Sequence, residues 1–140
     1  MSLVEWIKLP ALGDERGSLV VAESNINVPF AIERIYYIFN TQKDTPRGFH
    51  AHYDLKQVAI CLSGSCRIVL DDGQRKDEVW LDSPTKGLVI DTRVWHEMHE
   101  FSEDCILLVL ASAHYSEADY IRDYAQFIKQ VKDNDAKSTK

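Results

Sequence analysis

Short runs of β-branched and aromatic residues, separated by glycine, proline and small polar residues, occupy most of this chain. Residues 32–39 (IERIYYIF) have the composition of a strand. Residues 19–22 predict a shorter one after the turn cluster at 13–18. Residues 48–52 begin another, and 57–62 (QVAICL) continue the sheet. Ser63-Gly64-Ser65 predicts a turn, 66–70 (CRIVL) a strand, Asp72-Gly73 a tight hairpin, and 78–81 the returning strand. Further strands are predicted within 88–90, 94–100 and 105–111. The last of these, CILLVLA, is apolar throughout, as a strand buried on both faces would be.

After Ala113 the period changes. Tyr120, Ile121, Tyr124, Phe127, Ile128 and Val131 recur at helical spacing and predict one amphipathic helix packed on the core. Ser116, with Asp119 three residues later, has the form of a capping box with Asp in the place of Glu or Gln, so the helix is expected to start there. Residues 134–140 are polar and expected to fray. There is no internal repeat. Eight or more short strands with one terminal helix predict an all-β antiparallel barrel or jelly roll with a C-terminal α-helix. The interior of such a barrel is a natural ligand site.

Composition narrows the function. A chain of 140 residues, 45% hydrophobic and 27% charged, suits a single globular domain over 1–140. The longest apolar run is far too short for a membrane helix. The opening MSLVEWIKLP lacks the layout of a secretory signal, so a cytoplasmic protein is expected, away from the membrane. The net charge of −6 argues against a nucleic-acid binder but leaves room for one anion held by local arginines. Cys61, Cys66 and Cys105 are odd in number and form no CxxC, which suits reduced core residues.

The chemistry concentrates in residues 47–52, RGFHAH. Strand alternation projects His50 and His52 together, with Arg47, Phe49 and Ala51 on the opposite alternation or in the preceding turn. Two imidazoles inside a barrel are costly unless they are paired or used. With the distant His96 they offer either three neutral metal ligands or proton-transfer groups that titrate near neutral pH.

This spacing resembles the first cupin motif, with His50 and His52 as its HxH and Gly64 as its closing glycine. Pro84, Gly87 and His96 approximate the second motif. The metal-binding glutamate of the first motif falls on Gln57, and a neutral amide is a poor ligand for a transition metal. No bound metal is therefore expected. A closer likeness joins RGFHAH to residues 34–38 (RIYYI), 62–73 (LSGSCRIVLDDG), 94–101 (VWHEMHEF), 109–112 (VLAS) and 119–124 (DYIRDY). This ordered set, from about residue 14 to 127, resembles the WxcM-like sugar-nucleotide 3,4-ketoisomerases, cupins acting on dTDP-4-keto-6-deoxyglucose.

The resemblance implies a cupin/RmlC-like jelly-roll barrel. It also implies a homodimer in which an N-terminal strand, within residues 1–13, is exchanged. The reaction implied moves a carbonyl from C4 to C3 through an enediol and needs no cofactor. Its 3-keto product would suit an aminotransferase in deoxyaminosugar synthesis. The likeness assigns proton transfer to His50, as base at C3, and to His52, as the group handling the proton at O4 or C4. Arg47 is a candidate clamp for the enediolate or the diphosphate. Of the adjacent Tyr36 and Tyr37, only one can enter the barrel, and Tyr37 is marginally preferred as the sugar-oxygen donor. Arg34 and Tyr36 share an alternation, and Arg34 could meet the nucleotide. His96 is expected near the sugar, and Trp95 in packing. Arg16 and His99, if both line the pocket, would govern the face of C4 protonation and slightly favour the galacto product. Alternatives are a dTDP-sugar 3,5-epimerase, a metal-dependent cupin, and a non-catalytic sugar-binding cupin. The short chain and HAH doublet disfavour the first, and Gln57 the second.

Overall fold

In the computed structural model, which describes residues 2–138, two five-stranded antiparallel sheets face each other. The strands are β1 (Trp6–Lys8), β2 (Leu12–Asp14), β3 (Gly17–Leu19), β4 (Arg34–Ile38), β5 (Arg47–His52) and β6 (Gln57–Ser63). They continue as β7 (Cys66–Asp71), β8 (Lys76–Leu81), β9 (Lys86–Ile90), β10 (Trp95–His99), β11 (Ile106–Ala111) and β12 (Tyr120–Ile121), before helix α1 (Tyr124–Ser138). The first sheet has the order β1-β9-β6-β11-β4 and the second β12-β5-β10-β7-β8, while β2 and β3 form a separate hairpin. Antiparallel pairs joined across two facing sheets are the jelly-roll arrangement expected of many short strands.

The core lies between the sheets. Ala59, Cys61, Leu88, Leu107 and Val109 from the first sheet meet Cys66, Ile68, Leu70 and Met98 from the second, all buried. The central strand β6 is buried on both faces, because Val58 and Ile60 point the other way, into a cluster with Leu9, Val28, Phe30 and Leu110. This explains why 57–62 and 105–111 show no alternation: both faces are covered along most of each run, with Leu62 and Ile106 left exposed toward one end. Burial of a Leu or Ile at such a position is worth about 2–5 kcal/mol against Ala. Cys61, Cys66 and Cys105 are free and buried.

The hairpin expected at Asp72-Gly73 joins β7 to β8, closed by the Asp72 carboxylate accepting the N–H groups of Gln74 and Arg75. The helix differs from expectation. Ser116 makes no side-chain cap, and only a short 3-10 turn, Glu117–Asp119, follows it. Tyr120 and Ile121 are strand residues, paired with His52 and Ala51 of β5. The helix starts at Tyr124, where the Asp123 carboxylate accepts the Ala125 N–H at 2.9 Å. Pairing with the open edge of β5 satisfies the backbone of Tyr120 and Ile121 better than an isolated first turn would. The helix continues through Ser138, beyond the fraying expected from residue 134, while residues 139–140 lie outside the described residues. Phe127 seats it on Ala51, Trp95 and Ile121. No described helix is long and apolar enough to cross a membrane.

Residues 1–13 divide. The strand β1 pairs with β9 of its own chain, whereas Leu12–Asp14 belongs to the exposed β2–β3 hairpin.

Candidate active site

A cavity of about 530 Å³ opens beside β4, β5 and β12, and its lining includes Arg34, Tyr36, Arg47, His50, Tyr120 and Arg122. A β-bulge in β5 builds one wall. His96 of β10 pairs with His50, but Glu97 pairs with Gly48, so Phe49 has no opposite number. Gly48 has φ +92, and a Cβ there would lie 2.9 Å from the His96 carbonyl oxygen. Only glycine fits. The extra residue reverses the alternation before it, which brings Arg47 onto the face of His50. Plain strand alternation predicts Arg47 on the opposite side or in the turn, and the bulge overrides it.

His50, His52 and His96 converge on the inner side. Their ring centroids are separated by 5.0 Å for His50–His52, 4.6 Å for His50–His96 and 5.9 Å for His52–His96. Tyr120 closes the cluster, 4.9 Å from the His50 ring and 4.3 Å from that of His52. The tautomers follow from the neighbours. His50 Nδ1 lies 3.1 Å from the Gly48 carbonyl and His96 Nδ1 3.2 Å from the Val94 carbonyl. A carbonyl only accepts, so both rings carry the proton on Nδ1 and a lone pair on Nε2. Burial pushes His50 below the ordinary imidazole range, His52 to about 4 and His96 to about 3. All three are neutral at pH 7. A partly buried neutral imidazole with a free Nε2 lone pair, as His50 has, is a general base.

Tyr36, not Tyr37, enters the cavity. In β4, Tyr36 pairs with the core residue Val109, and Tyr37 with Leu108 on the other face. Tyr37 is 62% exposed and packs beside Phe39. The Tyr36 hydroxyl donates to Gln57 Oε1 at 2.7 Å, and burial pushes its pKa up to about 12, so it stays protonated. Arg34 shares the Tyr36 face, as expected, and stacks over its ring.

His99 turns outward, because it stands three residues from His96 on a regular strand. Its Nε2 meets Glu97 Oε1 at 2.8 Å and its ring abuts Phe49. Arg16 sits at the exposed tip of the β2–β3 hairpin, paired with Asp14. Neither lines this cavity within a single chain, which by itself gives no ground for favouring a galacto product. Trp95 packs against Tyr124 and Phe127, as expected.

Tyr120 and Arg122 are not foreseen as cavity residues, because helical spacing predicts one helix over 117–133. Asp123 ahead of the helical period from Tyr124 was the available signal for a later start. Arg122 lies over the Tyr120 ring and pairs with Glu117 at 2.8 Å. Arg34, Arg47 and Arg122 thus line the cavity, Arg122 with its charge already paired to Glu117.

The three histidines also offer one nitrogen each within 4.8 Å of one another, and His96 Nε2 has no hydrogen-bond partner. A cupin metal set adds a glutamate. That position is Gln57, whose oxygen is committed to Tyr36, so the full set does not fit.

The family model described as FdtA: WxcM-like, C-terminal matches residues 2–132. A TDP-4-oxo-6-deoxy-alpha-D-glucose-3,4-oxoisomerase from Aneurinibacillus thermoaerophilus is 58% identical over 118 residues, 84% of this chain and 85% of that protein. A mutant of the 3,4-ketoisomerase QdtA from Thermoanaerobacterium thermosaccharolyticum, solved with TDP-4-keto-6-deoxyglucose, is 43% identical with a TM-score of 0.91, over 95% of this chain and 96% of that one. The rmlC epimerase of Mycobacterium tuberculosis shares the fold at a TM-score of 0.70 and 18% identity, over 84% of this chain and 66% of that one. The jelly roll is therefore of the cupin/RmlC type, and the chain belongs to the WxcM-like family of sugar 3,4-ketoisomerases.

Proposed function

We propose that this protein moves the keto group of TDP-4-keto-6-deoxyglucose from C4 to C3. The observation that carries the reading is a neutral His50, its Nε2 lone pair free, in a cavity bounded by three guanidinium groups. Relatives named for this reaction support it.

The arginines hold the diphosphate, since a guanidinium makes paired hydrogen bonds with phosphate oxygens. Arg34, Arg47 and Arg122 are so placed. The C3 proton is acidic because it lies α to the C4 carbonyl. His50 Nε2 takes it, the C–H electron pair forms the C3–C4 double bond, and the carbonyl pair moves to O4, which gains a proton. The enediol then gives up the O3 proton, C3 becomes the carbonyl, and C4 receives a proton. Oxidation at C3 and reduction at C4 cancel, so no redox cofactor takes part. His52, beside His50, handles the proton at O4 or C4. The Tyr36 O–H donates its hydrogen bond to Gln57, so its oxygen presents lone pairs and accepts from a sugar hydroxyl. His96 sits behind His50 and excludes water from that side.

The active form is a homodimer. Supporting it, the β2–β3 hairpin leaves Leu12 and Leu19 more than half exposed, and the outer face of edge strand β4 exposes Ile35 and Tyr37. An N-terminal strand within residues 1–13 is the exchanged element, and the exposed hairpin continuing from it carries Arg16 toward a second subunit. Free thiols at Cys61, Cys66 and Cys105 favour a reducing compartment, the cytoplasm.

Proton NMR of the protein with TDP-4-keto-6-deoxyglucose, without metal or nicotinamide, tests the reaction. A 3-keto product is expected, and its coupling at C4 reads galacto against gluco. Unchanged substrate with broadened signals would replace isomerisation by sugar binding. Inversion at C3 or C5 with the 4-keto group retained would make the protein an epimerase.

A further inference from the structure

The strand that displaces the expected helix start brings a carboxylate behind the second histidine. Asp119 Oδ2 lies 3.4 Å from His52 Nδ1, at ion-pair distance, and this buried nitrogen makes no hydrogen bond to any other group; His52 is only 3% exposed. The same carboxylate is itself fixed. Its Oδ1 accepts the Asp54 N–H at 2.9 Å and its Oδ2 the Leu55 N–H at 3.2 Å, while the Asp119 carbonyl accepts the Tyr53 N–H at 3.1 Å. Asp119 therefore cannot swing away without breaking the turn after β5. Its outer side is shielded, with one-fifth of the side chain exposed.

We propose that Asp119 is a positioning residue for the isomerisation, holding His52 as the Nδ1–H tautomer so that its Nε2 faces the sugar oxygens. This rests on the ketoisomerase reading of the cavity. A buried imidazole flips between tautomers unless one nitrogen has a fixed partner. His50 and His96 take that partner from the backbone carbonyls of Gly48 and Val94. For His52 the facing groups are the His50 and His96 rings, the Tyr120 ring, Arg34 and Asp119. Among these only Asp119 is an anion. It is the group that opposes burial, the largest influence, in setting the basicity of His52. In this arrangement His50 begins the reaction at C3 without help from Asp119, and His52 depends on Asp119 to complete the oxygen-bound proton transfer.

The division gives a test that separates positioning from mere support of the turn. Wild-type protein is first assayed for isomerisation; failure there overturns the ketoisomerase reading itself. Asp119→Asn is then compared in deuterated water, with substrate C3 exchange and 3-keto product both followed by NMR. The expected result is a fall in isomerisation of about 10- to 100-fold with KM little changed, while C3 exchange falls several-fold less. Equal loss of both rates, or unchanged isomerisation, overturns the proposal. If Asp119→Asn fails to fold, imidazole ¹⁵N shifts of wild-type His52 decide. Nδ1 protonated and Nε2 bare is expected, and the reverse overturns it.

Discussion

The Tyr36 O–H donates its hydrogen bond to Gln57 at the sequence position where a metal-binding cupin keeps a glutamate. The amide oxygen fixes the phenol in the cavity wall, and the phenol occupies the one acceptor the amide could have offered to a metal. Gln57→Leu leaves the Tyr36 hydroxyl without its acceptor and is expected to cost about 1–3 kcal/mol. Chemical denaturation against wild type reads this. A cost below about 0.5 kcal/mol would mean that the hydroxyl finds another partner.

The two adjacent tyrosines are expected to separate in kinetics. Tyr36→Phe removes a lone pair facing the sugar and should lower kcat about 10- to 100-fold. Tyr37→Phe alters a side chain on the outer face and should leave kcat within twofold in the same assay. Equal effects would place the sugar elsewhere.

Gly48 carries the bulge that turns Arg47 toward His50. Gly48→Ala forces a Cβ to 2.9 Å from the His96 carbonyl at φ +92. It is expected to cost about 1–3 kcal/mol and to lower activity beyond that loss, because Arg47 and His50 lose their common face. Thermal melting and kinetics of the refolded variant check both parts.

Stability is expected to fall with acid. His52 and His96 are held neutral by burial, at about 4 and about 3, whereas in the unfolded chain they titrate at about 6.5. Below that value the unfolded state binds more protons, so the stabilisation is fully present above about pH 6.5 and is lost as pH falls toward about 4. Melting temperature measured from pH 7.5 to 4.5 should decline through this window. His52→Asn should flatten the decline, and an unchanged slope would show that other groups carry it.

A chelator is expected to leave turnover unchanged, since the histidine trio lacks its carboxylate and Gln57 is engaged. Activity lost with chelator and restored by added zinc or iron would assign the trio to a metal.

Much of the chemistry was legible in the chain. RGFHAH named His50 and His52 as a pair on one face, because a strand repeats every two residues. The same rule applied to residues 96 and 99 excludes a shared face, and His99 does turn outward. All-apolar runs such as 105–111 named their own burial but no face. Beside them nothing local distinguished Tyr36 from Tyr37, and it took the pairing of Tyr36 with Val109 to decide.

By itself, the sequence determined the strand-rich class, the hairpin at Asp72-Gly73 and the histidine pair, because period, turn chemistry and residue type are local properties. Only the tertiary structure decided that Tyr120 and Ile121 are strand, since an open edge on β5 outweighs helical spacing. It alone decided that Arg47 faces the cavity, since a bulge exists only between two paired strands. The meeting of Asp119 and Arg122 with residues about seventy positions earlier is likewise a product of packing, which no periodicity in the chain encodes.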